Sequence, residues 1–362
     1  METMSKMSKK TIFSTFIPWL KAGKVNGDLS QDTIEKKNDS ADGNLDEPNK
    51  QTDQPKDISE SIEKEEMGSA ALSNPNHRAS LILTDENNPW LIIGGSVTGN
   101  GHKAESIPCQ DSHLIQKWDE GWGVALISDG AGSAKNSHFA SSFLVGEAAR
   151  RSAILVKNEN WIEKGTLPEE EEWQKLSKKL FCGIQDSLIG YSKGIKVPFR
   201  SMHATLIMII FSPHGLLVAH VGDGRAGCVD NEDNWMSVIK PFEGAQVGET
   251  VFMTLDFENN EHFFESKMIR KPAKAFFLLS DGCEHVCWET LQKDENTGQF
   301  FQPNKPFEPF FKQTMSALEN ISNNGTCDDL KEGWMNYLDS GHKGFQDETD
   351  DKTMIIGFLN KK

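Results

Sequence analysis

The sequence predicts an α+β fold in which β-sheets stack on one another and helices pack outside them. Three observations carry this. Several apolar runs of strand length end on an aspartate followed by glycine, as in Val-Ala-Leu-Ile-Ser-Asp-Gly at 124–130. Segments with helical apolar spacing come as two pairs, one between sets of strands and one late in the chain. Strand sets broken by helix pairs suit sheets that face each other and carry helices on their outer sides.

The chain of 362 residues is long enough for one large domain with an appendage, or for two domains. Residues 1–88 differ from the rest. No aromatic residue occurs from Lys21 to Pro89, and Asp, Glu, Lys, Asn, Gln and Ser dominate. Such a stretch buries too little apolar surface to offset its ordering entropy, so residues 1–88 read as a disordered acidic extension. Within it, Thr11–Leu20 is short and apolar, has lysines on both sides and is interrupted by Pro18. It is too short to span a bilayer. A docking peptide or weak surface anchor and an unfolded terminus with a few apolar residues both stay open. The folded domain is expected over residues 89–362.

Trp90–Ser96 reads as the first strand and enters a glycine-rich turn at Thr98–His102. Gln110-Asp111-Ser112 opens a second strand, and Trp122–Ser128 is a buried central one. Ser137–Arg151 has helical spacing, with Ser137 as its N-cap. Leu167–Tyr191 is a longer amphipathic helix whose first turns carry Glu169–Glu172, favourable at a helix N-terminus. His203–Ser212 and Gly215–Val221 form a hairpin through Pro213-His214-Gly215. Further strands are expected in Gly227–Pro241, Thr250–Phe257 and Lys274–Leu279. Helices are expected over Phe307–Asn320 and Asp328–His342, and a last strand from Asp350 onward.

Composition excludes some functions. A net charge of −16 argues against nucleic acid as the partner, because phosphate backbones are met by basic patches. No apolar run approaches transmembrane length. The six cysteines show no disulfide framework and read as reduced thiols in a cytoplasmic protein. Cys283-Glu284-His285-Val286-Cys287 lacks zinc-pair spacing, and no second Cys/His pair is near.

The acids are better placed. Asp129, Asp223 and Asp281 each follow an apolar run, Asp350-Asp351 directly precedes one, and Asp111 closes Pro-Cys-Gln-Asp. One Asp-Gly is an ordinary turn signal, and Asp223 also reads as a turn acid paired with Arg225. Several strand tips brought together are another matter. Clustered carboxylates without matching Lys or Arg repel one another and call for hard cations, Mg²⁺ or Mn²⁺ first.

The order Gln-Asp, Asp-Gly, Gly-Asp-Gly-Arg, Ser-Asp-Gly, Asp-Asp-Lys-Thr resembles the type-2C metal-dependent protein serine/threonine phosphatases. The bacterial branch is the nearest in pattern, through His-x-x-x-x-x-Pro-Cys-Gln-Asp at 102–111 and Asp-Gly-Ala-Gly-Ser at 129–133. The resemblance covers about residues 90–360. It implies a four-layer α-β-β-α sandwich of two antiparallel sheets, with a dinuclear Mn²⁺/Mg²⁺ site at one sheet edge.

Residue by residue, Asp129 matches the family's bridging metal ligand and the Gly130 carbonyl the backbone ligand beside it. Asp281 and Asp350 match ligands, Asp111 matches the acid on the second strand and is expected to serve the catalytic and metal site, and Asp223 matches a position that holds a third, weaker ion in some relatives. Asp351 fills a place usually held by Asn. Three departures stand out. Gln110 replaces a common Glu, Ala131 replaces the His of the eukaryotic Asp-Gly-His-Gly, and the upstream Arg that grips phosphate has only His102 and Lys103 in its region. His102 is then the first candidate for general acid, with His138 second. The implied reaction is hydrolysis of phosphoserine or phosphothreonine by a water activated between two ions, on a protein phosphorylated by a cognate kinase. The other reading, prompted by Gln110 and Ala131, is a catalytically impaired relative serving as a phosphoprotein-binding or adaptor module.

Overall fold

The computed structural model describes residues 77–242, 250–257, 259–294 and 297–360. The apolar segment at Thr11–Leu20 lies outside them. The strands are β1 (Arg78–Ile82), β2 (Trp90–Val97), β3 (Ser112–Lys117), β4 (Gly123–Ser128), β5 (Leu206–Ser212), β6 (Gly215–Val221), β7 (Arg225–Asp230) and β8 (Trp235–Ser237). They continue with β9 (Glu265–Ile269), β10 (Ala273–Leu279), the two-residue β11 (Trp288–Glu289), β12 (Gln292–Lys293), β13 (Phe300–Phe301) and β14 (Lys305–Pro306), and finally β15 (Lys352–Leu359). The main helices are α1 (Asn100–Glu105), α2 (Ser137–Asn158), α3 (Glu170–Gly194), α4 (Glu308–Asn324) and α5 (Cys327–Asn336).

One sheet has the order β1-β2-β15-β10-β7-β8 and the other β3-β4-β5-β6-β9, and every pairing in them is antiparallel. Three apolar layers follow from strand alternation. Val124 and Leu126 of β4 face α2 and α3, where Leu144, Phe181 and Ile184 pack. Ala125 and Ile127, the alternate residues, meet Trp90, Ile92, Phe276 and Ile355 of the other sheet. Leu91 and Ile93 of β2 turn outward to Phe311 and Trp334 of α4 and α5. Both faces of the central strands are therefore covered, which is why they read as unbroken apolar runs. The architecture is the expected four-layer α-β-β-α sandwich.

Several local expectations are met. Ser212 pairs with Gly215 in the β5–β6 hairpin, and Gly215 has φ +143°, with a Cβ there running into the Ile269 carbonyl. Helix α3 begins with Glu170–Glu172 in its first turn and a capping box from Glu169 to Glu172.

Others are corrected. The first described strand, β1, lies inside the stretch 1–88 assigned to the extension. Arg-Ala-Ser-Leu-Ile is too mixed to stand out, but as an edge strand it needs only one neighbour, and it pairs with β2 from Arg78↔Ser96 to Ile82↔Ile92. Side chains tie it further: Arg78 donates to the His113 carbonyl at 2.7 Å, and Ser80 Oγ lies 3.1 Å from His113 Nε2. Just before it, His77 Nδ1 accepts the Thr98 N–H at 3.2 Å. The expected turn at 98–102 runs into α1, which carries His102. Asn136, not Ser137, is the N-cap of α2. Residues 250–257 form no strand, since the sheet edge beside β6 is taken by β9, which had no sequence signal. The expected helix 328–342 ends at Asn336 and widens into a π-turn over Tyr337–Gly341. The small strands β11–β14 form two ladders after Asp281, fixed by Asn304, whose Oδ1 accepts from Trp288 Nε1 at 2.9 Å and whose Nδ2 donates to the Ile239 carbonyl at 3.1 Å.

Candidate active site

All the predicted acids lie at one end of both sheets. Asp129 directly follows β4 and Asp111 directly precedes β3; the two strands are paired next to them, Ser112↔Ser128. Asp281 directly follows β10, and Asp350-Asp351 precede its neighbour β15, joined by the Ser280 N–H to the Thr353 carbonyl at 3.0 Å. Asp223 sits in the Gly222–Gly224 link where the chain leaves the five-stranded sheet at β6 and enters the six-stranded sheet at β7.

The acids form two tiers. Asp111 and Asp351 are each 1% exposed, and both are occupied by hydrogen bonds. Asp111 Oδ2 accepts from the Ser280 hydroxyl at 2.8 Å. Asp351 Oδ1 accepts the Gly99 N–H at 2.7 Å and Oδ2 the Gln110 N–H at 2.5 Å. Asp129, Asp223 and Asp281 are half-buried and Asp350 is exposed, so this tier faces the cleft.

Charge repulsion dominates the site. Burial, then the charges of Asp111, Asp281, Asp350 and Asp223, push the Asp129 carboxyl well above the usual range. Burial and the neighbouring Asp350 and Asp223 push Asp281 to about 7, against a hydrogen-bond contact with Asp129. Burial raises Asp111, Asp223 and Asp350 as well. Among the described residues no Lys or Arg is ion-paired with any of the five. Arg225, expected to pair with Asp223, instead binds Glu284 at 2.8 Å. The Asp223 carboxyl adds its charge to the cluster.

The donor set suits a hard cation. Asp281 Oδ1 is buried without a partner, and the cleft-facing ligands are all carboxylate or carbonyl oxygen. Among the described residues no three Asp, Glu, His or Cys side chains gather tightly enough to hold an ion by themselves. Gly130 carries its carbonyl into the same end through a bridge to Ala204. A Cβ at Gly130 would lie 2.5 Å from the Gln110 carbonyl oxygen, so only glycine fits there.

His102, on α1, places Nδ1 2.9 Å from Asp351 Oδ1. Its Nε2 faces Gly132: a Cβ built on that glycine would be 3.8 Å from His102 Nε2 and 3.9 Å from Gln110 Oε1. His138, the second candidate, packs its ring on Phe139 with centroids 4.1 Å apart. Cys283 and Cys287 are buried in the outer core, and burial drives both thiols well up.

Sequence reasoning missed a polar seam behind the acids. Thr353 N–H donates to Ser280 Oγ at 3.0 Å, Thr353 Oγ1 donates to Ser96 Oγ at 2.9 Å, and Ser96 Oγ is 2.8 Å from His113 Nδ1. Hydroxyl residues next to strand-tip acids were its only signal.

The four-layer sandwich and the acids gathered at one end of its paired sheets match what the sequence pattern implied. A model of the protein phosphatase 2C family matches residues 98–332, and the chain belongs to that family. His102, Asp111, Asp129, Asp223 and Asp281 fall inside the match, while Asp350 and Asp351 lie beyond it. Serine/threonine-protein phosphatase 3 of Escherichia coli strain K12 is 24% identical over 235 residues, covering 63% of this chain and 83% of that protein. The serine/threonine phosphatase Stp1 from Staphylococcus aureus superposes with a TM-score of 0.45 at 16% identity, covering 75% of this chain and 95% of the other. The catalytic domain of the phosphatase PstP, solved with two manganese ions, gives 0.45 at 14% identity, covering 75% and 99%.

Proposed function

We propose that this chain is a metal-dependent protein serine/threonine phosphatase that hydrolyses phosphoserine and phosphothreonine esters in proteins. The observation that supports it most is the cleft-facing tier of acids, raised by burial and mutual repulsion and lacking any Lys or Arg ion pair among the described residues. In this reading Asp129, the Gly130 carbonyl, Asp281 and Asp350 hold two divalent cations, Mn²⁺ or Mg²⁺, and Asp223 helps hold a third, weaker one. When bound, such ions neutralise the phosphate dianion and let water act as the nucleophile near neutral pH.

The chain's own residues do the rest. Thr205 fixes the Asp129 backbone, and Asp111, gripping Ser280, sets the β10 tip that carries Asp281. The serine or threonine oxygen must be protonated as it leaves, and His102 Nε2 is the imidazole nitrogen that faces the Gly132 loop. The partners are a phosphorylated protein and the kinase that made the ester, in the cytoplasm. No described helix is long and apolar enough to cross a membrane.

Hydrolysis of p-nitrophenyl phosphate and of a phosphothreonine peptide, with Mn²⁺ and with excess EDTA, tests this. Turnover should need the metal. Full activity in EDTA overturns the metal-dependent reading, and phosphopeptide binding without turnover selects the impaired-relative reading.

A further inference from the structure

Asp351 is not a spare member of the acid cluster. Its carboxylate gathers three separate parts of the chain: the Gly99 N–H at the β2–α1 junction, the Gln110 N–H just before Asp111, and the His102 ring on α1. At 2.9 Å the Nδ1–Oδ1 pair is at ion-pair distance, while the ring is not turned to make an aligned hydrogen bond. Such contacts often tighten only when substrate is present. The opposite nitrogen, Nε2, shares the Gly132 side with Gln110 Oε1, which is buried and has no hydrogen-bond partner.

We infer that Asp351 is the positioning residue for His102: it keeps one proton on Nδ1 and aims Nε2 at the leaving oxygen of the substrate. The inference rests on the phosphatase reading. In the step it serves, a water oxygen forms a new bond to phosphorus and the P–O bond to the serine or threonine breaks. The electron pair of the broken bond goes to the departing oxygen, which takes the proton of Nε2. His102 is left neutral with its Nδ1 proton against Asp351, and solvent restores the proton it gave. A carboxylate is what this role requires. An amide at 351 has one oxygen for two backbone N–H groups, and its NH₂ would face a donor or force the opposite tautomer.

The test compares two leaving groups on the full chain with Mn²⁺. A threonine alkoxide needs a proton as it leaves, whereas p-nitrophenolate does not. Asp351→Asn should lower kcat on a phosphothreonine peptide by about tenfold to a thousandfold and leave p-nitrophenyl phosphate within about threefold. His102→Ala should show the same split, and the double variant should be no worse than the poorer single one. Calorimetric Mn²⁺ affinity of Asp351→Asn should match wild type. Equal losses on both substrates, weakened Mn²⁺ binding, unchanged peptide turnover or additive effects would each overturn the inference. Nitrogen-15 NMR of His102 in the wild-type chain covers the case in which the variant does not fold. Once the ring is titrated to its neutral form, the remaining proton is expected on Nδ1, and a neutral ring protonated on Nε2 alone overturns the role. If wild type hydrolyses neither substrate, the phosphatase reading fails and takes this one with it; if it hydrolyses both without the split, only Asp351's role fails.

Discussion

Thr205 grips Asp129 from both sides of its peptide: the Asp129 N–H donates to Thr205 Oγ1 at 3.0 Å, and the Thr205 N–H donates to the Asp129 carbonyl at 2.8 Å. The backbone there is fixed by bonds that do not involve the carboxylate. A change confined to the side chain should therefore report on charge.

Asp129→Asn should lower kcat on a phosphothreonine peptide by at least about a thousandfold, of order 4 kcal/mol in the barrier. Melting of the metal-free variant should match or exceed wild type, because one member of a self-repelling cluster is neutral. Normal turnover would remove Asp129 from the site.

Mn²⁺ should raise the melting temperature of the wild-type chain, and EDTA should reverse the rise. A ligand that binds only the folded state at about a hundred times its Kd adds about 2.7 kcal/mol. Asp281→Asn should show a smaller rise, since it removes the buried oxygen that lacks a partner. Thermal melts with no Mn²⁺ response in wild type would contradict the reading of the acid tier.

Two buried histidines should make the fold acid-sensitive. Burial holds His113 down to about 3 and His220 to about 4. Both are below the unfolded value near 6.5, so below pH 6.5 the unfolded chain takes up protons that the folded chain refuses. Their stability contribution is whole above about 6.5 and declines as pH falls toward the folded values. Urea midpoints of wild type and His113→Gln at pH 7.5 and 5 isolate one of them, because opposing slopes from the raised acids cancel in the comparison. The wild-type loss should exceed the variant's by on the order of 2 kcal/mol; parallel losses would refute it.

A chain beginning at His77 should melt like the full chain, whereas one beginning at Glu86 loses β1 and strips Arg78 and Ser80 from His113. Its melting temperature should fall by roughly 5–10 °C, as for a loss of a few kcal/mol in a domain of this size. Equal melting of the two truncations would show that β1 adds nothing.

The buried strands were legible because both faces are covered, which leaves an apolar run with sharp Asp-Gly ends. Most of the acids were legible for the same reason, since Asp129, Asp223, Asp281 and Asp350 each mark such an end, while Asp111 was read from Pro-Cys-Gln-Asp. Edge strands were not: β1 and β9 bury too little for their composition to stand out, and their pairing is decided by partners far along the chain. Asp351 could be seen as an acid beside Asp350. That its oxygens are taken by Gly99 and Gln110, some 250 positions away in sequence, could not. The pairing of Arg225 was misjudged because nearness in sequence favoured Asp223, while Glu284 arrives through the turn after β10. The seam through Ser280, Thr353, Ser96 and His113 is invisible to any apolar pattern, being made of hydroxyls and one imidazole.

The union of His77 with Thr98 joins the approach to β1 to the end of β2. Thr98 precedes Gly99, the residue whose N–H holds Asp351, so the junction lies at the cleft end of the sheets. Loss of β1 would therefore reach further than the sheet edge: it would loosen the strand end whose next residue, Gly99, holds Asp351.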